Sequence, residues 1–115
     1  MKIVLLAALA GVLAVLVPVA SGAPPTLKGT VGPGFTITLT KGGAKVTKLK
    51  AGTYKVVVTD RADFHDFHLR GPGVNKATGV SASGSATWTV TLKAGKYTYV
   101  CDPHVSTMKG TFRVT

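Results

Sequence analysis

Glutamate is absent from this chain, and only four aspartates stand against 14 lysines and arginines, a formal net charge of +10 over 115 residues. Such an imbalance draws polyanions, anionic membrane faces or acidic proteins. The cations are scattered, however, through Lys41, Lys45, Lys48, Lys50 and Lys55, then Lys76, Lys93 and Lys96. There is no basic helix and no basic stripe interleaved with aromatics, so no nucleic-acid site is expected. Cysteine occurs once, at Cys101, which excludes an internal disulfide. Beyond residue 23 no stretch has a helical period, which excludes a helical bundle.

The amino terminus is a basic Met1-Lys2 followed by an uncharged apolar run from Ile3 to Val17 and the small residues Ser21-Gly22-Ala23. That is the pattern of a secretory signal peptide, residues 1–23, cut after Ala23. The alternative, an uncleaved anchor, is near the short limit for a span of roughly 20 residues. No cysteine follows the run, so a lipoprotein anchor at this cut is excluded. Residues 24–115 are then one compact domain, exported to the periplasm, the cell envelope or the outside. Outside the cytosol an unpaired thiol is a liability unless it is buried, dimer-forming or used.

The segment from residue 24 onward reads as short strands between glycine-rich turns. Phe35 to Thr40 alternates apolar residues with threonine; Val46 to Lys50, Tyr54 to Thr59 and Phe64 to Leu69 follow. Residues 71–83 read as a loop. Ser85 to Leu92 alternates again, with Ala86, Trp88, Val90 and Leu92 on one face, and Tyr97 to Cys101 and Thr111 to Val114 complete the set. Leu49-Lys50-Ala51-Gly52-Thr53-Tyr54 recurs as Leu92-Lys93-Ala94-Gly95-Lys96-Tyr97, one strand–turn–strand solution used twice. The spacing predicts an all-β sandwich or barrel of seven to eight strands, largely antiparallel. An immunoglobulin-like domain would leave Cys101 without its inter-sheet partner.

The octet Cys101-Asp102-Pro103-His104-Val105-Ser106-Thr107-Met108 brings a thiolate, an imidazole and a thioether together. With a second imidazole these are the donors of a blue-copper site. Strand alternation puts His65 on the face of Phe67 and Leu69, hence inward, and Asp66, His68 and Arg70 on the outward face. His65 is therefore the candidate fourth ligand. The same alternation puts Cys101 inward beside Tyr97 and Tyr99. Structural zinc prefers four strong cysteine or histidine donors, whereas the soft thioether of Met108 suits copper. Asp63, Asp66 and Asp102 flank these donors rather than share their face.

On His65-Asp66-Phe67, on Gly95-Lys96-Tyr97-Thr98-Tyr99-Val100-Cys101 and on Cys101-x-x-His104-x-x-x-Met108, the chain from Gly29 to Thr115 resembles the cupredoxins of the plastocyanin, pseudoazurin and amicyanin group. The resemblance implies a cupredoxin-like Greek-key β-sandwich. It implies one type 1 copper per chain, held by His65, Cys101, His104 and Met108, with His104 as the electron's exit. Two departures stand out. Three residues separate His104 from Met108, where plastocyanin-like loops have four and amicyanin-like loops two. Asp66 occupies a position where many relatives carry an asparagine that braces the ligand loop. The expected function is a non-enzymatic one-electron carrier, a monomer steered to acidic redox partners by its charge, with peripheral membrane proximity also compatible. A copper-storage module is the alternative. A copper oxidase or nitrite reductase needs further histidines, and only His68 is left unassigned.

Overall fold

The computed structural model describes Gly11 and residues 22–115. The expected signal peptide therefore lies, except for Gly11, Gly22 and Ala23, outside the described residues. Among the described residues no helix is long and apolar enough to cross a membrane. The described residues form ten strands: β1 Thr26–Val31, β2 Ile37–Lys41, β3 Ala44–Lys45, β4 Lys48–Leu49, β5 Gly52–Asp60, β6 His68–Gly71, β7 Val74–Ala77, β8 Gly84–Leu92, β9 Gly95–Val100 and β10 Lys109–Val114. A 3-10 turn, Asp102–His104, interrupts the last connection.

The strands make a sandwich of two five-stranded sheets, in the orders β3-β2-β1-β5-β8 and β4-β10-β9-β6-β7. Most pairs are antiparallel, but β1 runs parallel to β5 and β4 parallel to β10, so both sheets are mixed. Alternation explains why each strand buries one face. On β5, Tyr54, Val56 and Val58 point inward; on β9, Tyr97 and Tyr99; on β10, Phe112 and Val114. Phe67 stacks on Tyr99 at 5.7 Å between centroids, and Tyr97 stacks on Phe112 at 5.2 Å. Each such side chain contributes roughly 1.5–3 kcal/mol when fully buried.

The structure adds strands where the sequence suggested none. β1 places Leu27, Gly29 and Val31 inward, and Gly29 leaves the space that the Phe67 ring fills. β7 lies inside the stretch read as a loop. Phe35 is 63% exposed and precedes β2 rather than starting it. The repeated Leu-Lys-Ala-Gly-x-Tyr element is two tyrosine corners. Gly52 and Gly95 turn with φ of 153° and 146°, a region that favours glycine. The Tyr54 hydroxyl then donates back to the Lys50 carbonyl at 2.7 Å. The Tyr97 hydroxyl accepts from the Lys93 amide at 2.9 Å and lies 2.9 Å from the Pro72 carbonyl.

Candidate metal centre

Residues 61–67 are not a strand. They form a loop between β5 and β6, leaving one sheet and entering the other at one end of the sandwich. Loop backbone does not alternate faces, so the outward placement of Asp66 fails there, while His68, the first residue of β6, does lie opposite buried Leu69. Asp66 is buried, 2% exposed, and its carboxylate accepts the Asp102 amide at 2.6 Å. His68 is half-buried rather than solvated. Its Nδ1 sits 2.8 Å from the Asp102 carboxylate and its Nε2 meets the Asn75 side-chain oxygen. His65 does point inward, fully buried with Phe67 and Leu69, but a loop carries it rather than a strand.

Cys101 follows the last residue of β9, with its side chain fully buried as the Tyr97–Tyr99–Cys101 alternation predicts. Pro103 then sits in the 3-10 turn, where its fixed φ and missing amide cost nothing. The turn closes on itself. The His104 amide donates to the Cys101 carbonyl at 2.9 Å, the Met108 amide to the His104 carbonyl at 2.8 Å, and the Cys101 amide to the Met108 carbonyl at 3.0 Å. This last bond puts Met108 directly across from Cys101 at the mouth of the β9–β10 connection. Met108 is fully buried and belongs to the core cluster that includes Cys101.

Three donor atoms meet at this end. His65 Nδ1 and His104 Nδ1 are 3.2 Å apart, and Cys101 Sγ lies 3.6 Å from the first and 3.5 Å from the second. The point equidistant from all three lies about 2.0 Å from each, close to metal–imidazole and metal–thiolate bond lengths. The donor set therefore fits a metal ion. His65 Nε2 is 3.1 Å from the Gly34 carbonyl, a bond that fixes the ring and leaves Nδ1 as the free donor. Burial pushes the Cys101 thiol up, so the metal-free site carries a protonated thiol and metal uptake displaces its proton.

Electrostatics around the triangle come from two carboxyls. Burial, together with the nearby Asp102 carboxyl, pushes Asp66 up to about 6. The hydrogen bond with Asp66, with His68 adding to it, holds Asp102 below the usual carboxylate range. Two further residues belong to the site that sequence reasoning placed elsewhere. Phe35 and Phe64 approach His104 edge-on, with centroids 5.0 and 6.4 Å from its ring, and Phe64 lies 4.1 Å from His65. Phe35 immediately follows Gly34, whose carbonyl holds His65, a contact 31 residues apart that no local sequence pattern signals.

The signature of the copper binding proteins, plastocyanin/azurin family, matches residues 35–115. The chain belongs to that family. Among solved structures it is similar to reduced rusticyanin, at 24% identity over 83% of this chain and 81% of that one, with a TM-score of 0.62. A methionine-to-glutamine variant of rusticyanin gives 24%, 83%, 80% and 0.61. Rusticyanin from Thiobacillus ferrooxidans gives 25%, 83%, 79% and 0.57. No curated protein matches. The protein is thus a cupredoxin with copper as its cofactor, and the fold is the sandwich expected of one. Family and donor triangle together support a blue copper electron-transfer protein.

Proposed function

We propose that this cupredoxin is an exported one-electron carrier whose mononuclear type 1 copper is held by His65, Cys101, His104 and Met108. The observation that carries the reading is the triangle of His65, Cys101 and His104 donors, with buried Met108 bonded across to Cys101 through the backbone. Copper cycling between its +1 and +2 states supplies the electron. The chain's part is to hold the donors still. The Gly34 carbonyl orients His65, the Asp66 carboxylate grips the Asp102 amide, and three backbone hydrogen bonds close the ligand loop on itself. Donors so fixed suit both oxidation states with little rearrangement.

His104 is the half-buried member of the triangle, and the apolar side chains around it, Phe35, Phe64 and Val105, are exposed. Exposed apolar residues in a cluster mark contact surfaces. This rim is the docking surface for a redox partner, while the chain's net positive charge raises the rate of encounter with acidic partners at longer range. Export, implied by residues 1–23, explains how one thiol is tolerated: it is buried and used.

Reconstitution with copper(II) tests the reading. An intense visible band that disappears in Cys101→Ser is expected; a reconstituted protein that stays colourless refutes it. The self-exchange rate separates a carrier from a storage module, since slow exchange with tight copper(I) retention favours storage.

A further inference from the structure

The two ends of the sandwich differ in charge: the copper end mixes aspartates with Arg61 and Lys109, and the charged side chains of the other are cations alone. All four acidic residues lie at the copper end: Asp60 closes β5, Asp63 and Asp66 sit in the loop after it, and Asp102 follows Cys101. The other end is defined by the pairs Gly52 with Leu92 and Val114 with Gly95, and by the Ala51 amide donating to the Thr115 carbonyl at 3.0 Å. That end and its margin hold Lys48, Lys50, Lys93, Lys96 and Arg113, all exposed, and no carboxylate side chain.

Three of these cations form a row. Arg113 of β10 is the direct cross-strand partner of Lys48 on β4 and of Lys96 on β9. Like charges directly opposite one another destabilise a sheet. The only ion pair among the described residues is His68 with Asp102, at the far end, so nothing in the fold neutralises the row. Lys96 and Cys101 are five residues apart along β9, roughly 17 Å at strand rise. The row is therefore not part of the rim around His104.

The chain also enters the domain at this end. β1 begins at Thr26, paired with Lys55, and the Pro25 carbonyl accepts the Lys55 amide at 2.9 Å. β1 then runs toward the copper end, where Val31 pairs with Asp60. Pro25 therefore lies on the cationic side of the domain.

From these placements we propose that the Lys48–Arg113–Lys96 row, with Lys50 and Lys93, is the seat of the protein on an anionic lipid surface. The row lies against acidic headgroups, and the copper end, a strand's length away, faces the aqueous phase. Lipid is favoured over an acidic protein as the occupant because the cations are spread over this end of the molecule, and the exposed large apolar side chains, Phe35, Phe64, Val80 and Val105, lie elsewhere, so there is no apolar centre for a protein interface. The inference rests on the fold and the charge distribution, so it stands or falls independently of the copper chemistry.

The test is co-sedimentation of the copper-loaded protein, as recovered after export, with vesicles of phosphatidylcholine alone or doped with phosphatidylglycerol. Binding to doped vesicles that is lost at high salt is expected. Each cation near an anionic surface is worth about fivefold in partitioning. The triple variant Lys48→Gln, Lys96→Gln, Arg113→Gln then weakens binding on the order of a hundredfold. A control triple of equal charge, Arg61→Gln, Lys76→Gln, Lys109→Gln, weakens it by only a few fold, because those residues lie elsewhere. Equal binding to neutral and anionic vesicles overturns the proposal, as does an equal loss in both triples. So does a row triple that keeps vesicle binding while losing affinity for poly-glutamate, which assigns the row to an acidic protein. The visible band of each variant reports separately whether the copper site is intact.

Discussion

Replacing Tyr97 with phenylalanine and Tyr54 with phenylalanine removes one hydroxyl each from two copies of the same sequence element, yet the two losses should differ. At Tyr54 the hydroxyl makes one hydrogen bond, to the Lys50 carbonyl. Its removal costs about 1 kcal/mol, the ordinary net value of a hydrogen bond. At Tyr97 the oxygen accepts the Lys93 amide and its proton is shared between the Pro72 carbonyl at 2.9 Å and the Lys93 carbonyl at 3.1 Å. Tyr97 is fully buried, but its partners belong to the exposed residues Lys93 and Pro72, so the variant loses two part-buried hydrogen bonds where Tyr54→Phe loses one. At the same net value for each, the Tyr97→Phe loss should reach roughly 2 kcal/mol, about twice that of Tyr54→Phe. For a domain of this size 1 kcal/mol shifts Tm by about 4–8 °C. Denaturant unfolding of the two apoproteins gives the comparison directly. Equal losses, or a larger loss at Tyr54, would refute the reasoning that the second corner also ties the β6–β7 turn to β9.

Gly110→Ala places a Cβ inside the Tyr99 ring, which cannot swing away because it also stacks on Phe67, so a loss of about 1–3 kcal/mol or more is expected by thermal unfolding. Phe64→Ala, at a 46% exposed position, should leave stability nearly unchanged but lower the reduction potential, because water then reaches the His65–His104 edge and favours the more charged oxidised site. Redox titration reads it, and an unchanged or raised potential counts against a shielding role. The apoprotein should lose stability as pH rises from 3.8 to about 6, because over that window folded Asp66 keeps a proton the unfolded chain has released. Asp66→Asn should flatten that slope, measured by denaturant unfolding across the window.

How the sequence disclosed this site depended on which backbone carried each residue. Cys101 was legible because β9 is a true strand up to Val100, and alternation from Tyr97 and Tyr99 extends one residue further without error. His65 was found by the same rule although residues 61–67 are a loop; the rule survived because Phe67 and Leu69 anchor the stretch to the core. Asp66 shows where it broke, turned inward by its bond to the Asp102 amide, a contact 36 residues away in sequence that no local period encodes. β7 was hidden by a stretch rich in glycine, serine and alanine, and β1 by Gly29, which weakens the strand pattern locally and exists to admit a ring from another element. Phe35 and Phe64 read as the first residues of two strands, and the structure instead makes them the rim of the metal centre.

The unusual spacing of the ligand loop also has a structural account. Three residues between His104 and Met108 are enough for one tight turn, in which the amides of Thr107 and Met108 both donate to the His104 carbonyl, at 3.1 and 2.8 Å. That turn hands Met108 back to the Cys101 amide, so the loop begins and ends on the same hydrogen bond. Two further contacts pin it from outside: Asp66 on the Asp102 amide and His68 on the Asp102 carboxylate. Asp102 thus joins the residue after the thiolate to both the His65 loop and β6. The donors stand 3.2–3.6 Å apart, and hydrogen bonds between His65 and Gly34, between the Asp102 amide and Asp66 and within the turn brace the segments that carry them. A scaffold that has already fixed its ligands can impose the same geometry on both oxidation states, which is the property an electron carrier requires.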